Sequence, residues 1–353
     1  MFSLSQKKRD RIIRDLMFGI AFIIVGLYSI SADFSLVFYP ISTVILTTSI
    51  WIMVTKKIDP LEKEPPLFTL SAFIWGSFIS ALLALVLNNA AVDFMKQSGV
   101  SAHSIDEILA FYVAPFFEEI AKFTFFIVYF RVLRKQVDGI IDWIFYSFML
   151  GLGFAAIENL SYFTYGCERG KLIEFVILRG GITPFLHPIL CLISSFGVFL
   201  CLKKPNMKKL HKYGVILLFL FLGIATHSYW NHSSYNGWFS FWVGFIIINT
   251  PTIILIILAF SYENIAGRKI FRNNLWELPM EERDYLCSTT KKMLNWTKHL
   301  FTFRLIKLFL LTEYHNVASL LAFEREAGFI KAKHIEKDKE RTIQLYNLLR
   351  RWK

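Results

Sequence analysis

The sequence predicts an all-α polytopic membrane protein, with about eight transmembrane helices followed by a small helical cytoplasmic region. Three observations carry this reading. First, 55% of the 353 residues are hydrophobic and only 19% are charged, against roughly 25% charge in an ordinary soluble domain. Second, the apolar residues fall in runs of about 20, the length a helix needs to cross a hydrocarbon core of roughly 30 Å. Third, Lys and Arg gather in short clusters between those runs, and every second loop is basic. That is the pattern of side chains retained on the cytoplasmic face. The net charge of +12 is then a membrane signature, and nucleic-acid binding, the other reading of such a balance, is not expected.

The elements follow in order. Residues 1–14 form a basic cytoplasmic stretch with Lys7, Lys8, Arg9, Arg11 and Arg14. The first span is expected at Asp15–Ala32. It lacks a clear Ala-x-Ala site and reads as a retained helix, not a cleaved signal. The second is expected at Leu36–Val54, followed by Lys56, Lys57 and Lys63. Asp59-Pro60 and Glu64-Pro65-Pro66 separate it from the third, Phe68–Val92, because proline breaks helices. The fourth, Ile108–Leu133, is followed by Arg134 and Lys135, and the fifth is Gly139–Tyr162. The next loop is not basic overall but keeps Arg169, Lys171 and Arg179. The sixth span, Pro184–Leu202, precedes Lys203, Lys204, Lys208, Lys209 and Lys212. The seventh is Tyr213–Trp230, and the eighth, Trp238–Tyr262, precedes Arg268, Lys269 and Arg272.

Eight spans put both termini in the cytoplasm. The membrane domain is bounded at residues 15–265 and a helical cytoplasmic domain at 266–353. Helical patterns lie around Glu281–His299 and Leu305–Arg325, and Lys331–Lys353 is highly charged. This tail could bind a regulator or touch anionic lipid through a basic amphipathic helix. Cys167, Cys191, Cys201 and Cys287 form no CxxC pair and no disulfide framework. There is no internal repeat.

Ionisable groups inside a span cost several kcal/mol unless paired or hydrated, so each is a functional candidate. Here they form a set. The fourth span carries Glu118-Glu119-Ile-Ala-Lys122, and the fifth carries Phe154-Ala-Ala-Ile-Glu158-Asn159. The sixth has His187 near its start, and the seventh has His227 and Asn231. Glu118 and Lys122 lie four apart and Glu119 and Lys122 three apart, so the three share a helix face. Lys122 could pair with one carboxylate and leave the other free. Phe154 with Glu158, and His227 with Asn231, also lie four apart, and Gly151 and Gly153 allow a neighbouring helix to approach closely.

Two histidines with nearby glutamates can hold Zn²⁺ with an open position for water. A further carboxylate can take the proton of that water, and metal or His with Asn can stabilise an oxyanion. The expected activity is therefore intramembrane peptide hydrolysis. Glu118 or Glu119 is the expected general base. His187, His227 and Glu158 are candidate metal ligands or oxyanion donors, and Asn159 and Asn231 are expected to orient them. Zn²⁺ is the candidate cofactor, and a metal-free, glutamate-activated water is the alternative. Glu118 and Glu119 lie about ten residues, roughly 15 Å, below the extracytoplasmic face, which places the site in the outer half of the membrane. Asp138 and Asp142 are expected at the interface. His103, His211, His299, His315 and His334 are expected in solvent, and His232 is a substitute for His227. An ion- or proton-coupled transporter built on the same groups and a non-catalytic receptor or assembly factor are the competing readings. The broken helices and inverted repeats of many transporters are not evident.

At these residues the chain resembles the PrsW family of intramembrane peptidases, relatives of the CAAX-processing and bacteriocin self-immunity proteases. The matching elements are Glu118-Glu119-x-x-Lys122, Phe154-x-x-x-Glu158-Asn159, His187 with Gly197 ten residues on, and His227-x-x-x-Asn231. Asp138-Gly139, Gly151-Leu-Gly153, Glu64-Pro65 and Arg179 upstream of His187 are also family-like. The resemblance spans roughly Asp59 to Asn231, with its core motifs in residues 115–231. Glu158 stands where the CAAX branch usually has His, which counts against prenyl-protein processing. The resemblance implies cleavage of a single-pass membrane protein, such as an anti-sigma factor, near the extracytoplasmic boundary of a bacterial cytoplasmic membrane. It also implies a supporting role for Arg179. There is no His-Glu-x-x-His, Gly-x-Ser-x-Gly or Gly-x-Gly-Asp.

Overall fold

A computed structural model describes residues 34–56, 64–137, 139–302, 304–327 and 332–351. The first expected span, its basic flank and Asp138 lie outside them. Every regular element among the described residues is helical, so the chain is an all-α polytopic membrane protein. Six helical stretches are long and apolar enough to cross a membrane: Leu36–Thr55, Pro66–Gln97, Ile140–Glu168, Leu172–Lys203, Lys209–Tyr235 and Trp238–Ala259. The expected fourth span is not among them, because it carries Glu118, Glu119 and Lys122 within five residues.

The chain falls into two compact units, one holding the residues up to Thr55 and Pro65–Thr252, the other Lys56–Glu64 and Ile253–Lys353. The first unit opens with α1 (Phe34–Thr55), where Ser42, Thr43 and Thr47 return their hydroxyls to the backbone four residues back. That is how a hydroxyl is satisfied in an apolar setting. Pro66 at the first turn starts α2 (Pro66–Gln97), since proline there gives up only an N–H that has no partner anyway. A π-helical turn, Trp75–Ser80, interrupts α2. Ser101 caps the N-terminus of α3, accepting from the Ser104 N–H at 3.2 Å. α3 runs through Ala102–Ile108, a π-helical turn Leu109–Val113, and Ala114–Val128. A short α4 (Phe130–Gln136) follows.

The Asp142 carboxylate accepts the Gly139 N–H at 3.0 Å at the start of α5 (Ile140–Glu168). Asp142 is buried there, in the first turn of the helix. α5 is buried along nearly its whole length and packs on α1 and α2. The stretch between the fifth and sixth expected spans is largely helical: α6 combines Leu172–Phe175 with a π-helical Val176–Ile182. Its apolar run Leu172–Leu178 sustains a helix until Gly180-Gly181 and Pro184 end it. α7 (Leu186–Lys203), α8 (Lys209–Tyr235) and α9 (Trp238–Asn274) complete the sequence of spans. A Cβ at Gly151 would lie 2.3 Å from the Pro188 nitrogen, and one at Gly153 2.2 Å from the Phe73 carbonyl oxygen. These two glycines let α7 and α2 seat directly on α5.

The second unit contains α10 (Met280–Leu286), α11 (Thr289–Phe301), α12 (Leu305–Ala327) and α13 (Ala332–Arg351). Its core includes Phe271, Leu275, Leu286, Tyr314, Leu321 and Leu345. Arg325 closes it with a bidentate pair to Glu277 at 2.7 and 2.9 Å. Two histidines expected in solvent are buried in this unit, His299 and His315. The His315 ring nitrogen shares a 2.9 Å hydrogen bond with the Tyr285 hydroxyl. His103 and His211 are exposed as expected, and the side chain of His334 lies outside the described residues.

Candidate active site

The π-helical turn in α3 precedes Pro115, which has no N–H to give the Phe111 carbonyl. The turn also shifts the Ala114 N–H onto Leu109, so the carbonyls of Ala110 and Phe111 lose their usual helical partners. α8 supplies replacements: the Asn231 amide donates to Ala110 O at 2.8 Å, and the Ser228 hydroxyl donates to Phe111 O. Asn231 therefore does not reach the ionisable residues. It fixes the helix of His227 against the helix of Glu118 and Glu119. His232 is exposed, with its ring edge against Phe111, and it does not join the cluster.

The other expected residues meet in one continuous chain. The Arg179 Nε donates to Asn159 Oδ1 at 3.2 Å, and its Nη2 donates to Glu158. Glu158 Oε2 lies 2.5 Å from His187 Nε2. His187 Nδ1 lies 3.2 Å from Lys122 Nζ, which is 2.5 Å from Glu119 Oε1. Glu119 Oε1 in turn lies 3.0 Å from His227 Nδ1. The two imidazoles stand nearly perpendicular, with centroids 5.5 Å apart. Phe154 backs the chain, with His187 at 5.0 Å between centroids and Lys122 Nζ 4.5 Å from its ring centre. Glu119 and Lys122 are fully buried, whereas Glu158 is 27% exposed at its side chain. Charges so buried persist only when paired, and each here has a partner of opposite sign or a ring nitrogen.

Glu118 stands apart. Its Oε2 is buried without a hydrogen-bond partner and lies 3.9 Å from His227 Nε2, too far for a direct hydrogen bond. Glu119 Oε2 is also buried and unpartnered. Ligand atoms of Glu118, His187 and His227 all come within 4.8 Å of one another, so one carboxylate and two imidazoles could converge on one ion, a donor set that suits Zn²⁺. Glu158 is not in that group, since Arg179 and His187 hold it. Both ring nitrogens of His187 already have neighbours, so ligation would need His187 to release Glu158 or Lys122.

Two contributors escape a reading of the sequence. Tyr162, one turn beyond Glu158, lies under the Arg179 guanidinium at 4.1 Å. Its spacing of four from Glu158 was the available signal. Ser228 acts on a backbone carbonyl and leaves no spacing signature.

The sequence profile described as "PrsW family intramembrane metalloprotease" matches residues 64–260, which contain the whole cluster. The protein named "Protease PrsW" from Clostridioides difficile (strain 630) is 26% identical over 169 residues, covering 48% of this chain and 67% of that protein. No solved structure matches the chain. A profile that covers more than half the chain and encloses the paired glutamates, the lysine and both histidines assigns it: this chain belongs to the PrsW family of intramembrane proteases.

Proposed function

We propose that the chain hydrolyses a peptide bond in a single-pass membrane protein, such as an anti-sigma factor, near the extracytoplasmic face of a bacterial cytoplasmic membrane. Glu118 is the residue that acts on water. The observation that carries this reading is the contrast within the Glu118-Glu119 pair. Glu119 is anchored through Oε1 by Lys122 and His227 and has only Oε2 without a partner, whereas Glu118 is anchored by neither and its buried, unpartnered Oε2 lies 3.9 Å from His227 Nε2. A carboxylate with a free lone pair beside a donor-bearing imidazole can take a proton from water. The water oxygen adds to the scissile carbonyl carbon, and the proton moves to Glu118. In its doubly protonated form, His227 gives Nδ1–H to Glu119 and Nε2–H to the developing oxyanion. Glu118 then returns the proton to the leaving nitrogen as the C–N bond breaks. Lys122 and Glu119 hold His187 and His227 in place.

In an ion-dependent form of the reaction, Glu118, His187 and His227 would instead hold a metal ion, with His227 in its neutral form. A bound ion would polarise the carbonyl and lower the pKa of water. The depth of the site is supported by sequence position: Glu158 is nineteenth of the 29 residues of α5, and His187 is second in α7. Lys203 and Lys204 at the far end of α7 mark the cytoplasmic side by the positive-inside rule. The ionisable chain is a compact cluster and not a path across the bilayer, which favours hydrolysis over ion transport.

The test is cleavage of a single-pass substrate in liposomes, with and without chelator. Glu118→Gln should slow cleavage by about 10²–10⁴-fold while leaving the protein folded. Cleavage by that variant at the wild-type rate would falsify the assignment. Chelator sensitivity, restored by Zn²⁺, would identify the ion-dependent form of the mechanism.

A further inference from the structure

Between Asp284 and Glu313 the chain has no acidic residue but carries Lys291, Lys292, Lys298, Arg304 and Lys307. This stretch forms the hairpin of α11 and α12. Lys292 and His299 of α11 turn inward and are buried, and Trp296 of α11 donates to the Thr312 hydroxyl of α12 at 3.2 Å. The opposite face of α11 is different. Met293 is 64% and Leu294 65% exposed, and Lys291 and Lys298 beside them are also exposed. At 100° per residue these four occupy one continuous arc of the helix. On the second arm Ile306 is 66% and Phe309 68% exposed, next to the exposed Arg304.

Each arm of the hairpin thus leaves two large apolar side chains in solvent beside basic ones, the kind of exposure that another phase or molecule covers. We infer that this hairpin docks on an anionic bilayer surface, with Met293, Leu294, Ile306 and Phe309 entering the headgroup boundary and Lys291, Lys298 and Arg304 engaging lipid phosphates. The occupant follows from charge and tethering. The stretch is wholly cationic, and acidic residues resume immediately on either side, at Asp284 and Glu313. An apolar stripe rimmed by Lys and Arg is the composition of an interfacial helix, and basic clusters are drawn to the negative surface of a lipid leaflet. The last candidate span ends at Ala259 and α11 begins at Thr289. The hairpin is thus tethered by the chain to a helix apolar enough to span the bilayer, and a weak intrinsic affinity is enough to keep it on the lipid surface. The docking is independent of the peptidase chemistry.

The experiment is hydrogen exchange on the full-length protein in nanodiscs of phosphatidylcholine alone, or with phosphatidylglycerol added. Docking predicts severalfold slower exchange across residues 290–310 in the anionic discs only, reversed by high salt. The triple variant Lys291→Glu, Lys298→Glu and Arg304→Glu should lose that difference. Unchanged exchange at Leu286 and Tyr314 in the variant establishes that the unit is still folded. Identical exchange in the two lipids overturns the inference. So does protection that is the same in both lipids and rises with protein concentration, because the cover is then a second copy. A triple variant that is folded yet still slowed by phosphatidylglycerol also overturns it.

Discussion

At the scale of single residues, the site is a chain of alternating charges in which Lys122 is the central link. It touches Glu119 at 2.5 Å and His187 at 3.2 Å, with no solvent exposure. Removing one member of a buried pair leaves an uncompensated charge at a cost of about 3–5 kcal/mol. Lys122→Met should therefore lower the melting temperature sharply and abolish cleavage. Lys122→Met combined with Glu119→Leu should recover much of the melting temperature and none of the activity. Recovery of activity in the double variant would show that the pair has no catalytic function. The spacing of Glu118, Glu119 and Lys122 made their common face legible in the sequence. Which glutamate is anchored at one oxygen was not legible, because that depends on His227 arriving from another helix. Asn231 was misleading for a related reason. A carbonyl freed by a π-helical turn cannot be seen until the turn itself is seen.

At the scale of elements, the joint between α3 and α8 makes a prediction of its own. Asn231 and Ser228 cap the Ala110 and Phe111 carbonyls, and one such hydrogen bond contributes about 0.5–1.5 kcal/mol. Asn231→Leu should therefore destabilise the fold by that amount and slow cleavage by shifting His227, with no change in any group that titrates. Matched kcat pH profiles for wild type and variant would check this. The seat of α7 on α5 is equally specific. Gly151→Ala would drive a methyl group into the Pro188 backbone, next to His187. It should cost about 1–3 kcal/mol by overpacking and impair cleavage. Gly214→Ala, which meets nothing within 4 Å, should do neither, as thermal melting and a cleavage assay would show. The spans of α1, α2, α5, α7, α8 and α9 were legible from apolar runs alone. α6 was not, because Gly180, Gly181 and Pro184 punctuate the same run that supplies its helical residues.

At the scale of the whole molecule, the second unit carries an acid-sensitive group of its own. His299 in the second unit is buried with its Nδ1 unpartnered. Burial pushes its pKa below the ordinary value, and Lys307, Arg304 and Lys298 push it the same way. The folded state then binds the proton less readily than the unfolded chain. Stability should fall as the pH drops below about 6.5, the unperturbed histidine value. Thermal melting across pH should show that loss in wild type and a smaller one in His299→Phe. The sequence placed His299 in solvent because a charged tail gives no sign of its own core, which forms only when Phe271, Leu286, Tyr314 and Leu345 come together. The composition of α3 has a consequence for how the protein is made. On the biological insertion scale each charged residue at the centre of a helix opposes membrane entry by about 2.5–3.5 kcal/mol, and α3 carries Glu118, Glu119 and Lys122 together. Left to itself, α3 is a poor client for the translocon. It must be retained near the insertion channel until α2, α7 and α8, which pack against it, can offer a polar interior. The segment that holds Glu118 and Glu119 thus depends on its partners to enter the lipid phase, and variants that disturb those partners should appear first as quality-control substrates and only second as inactive enzymes.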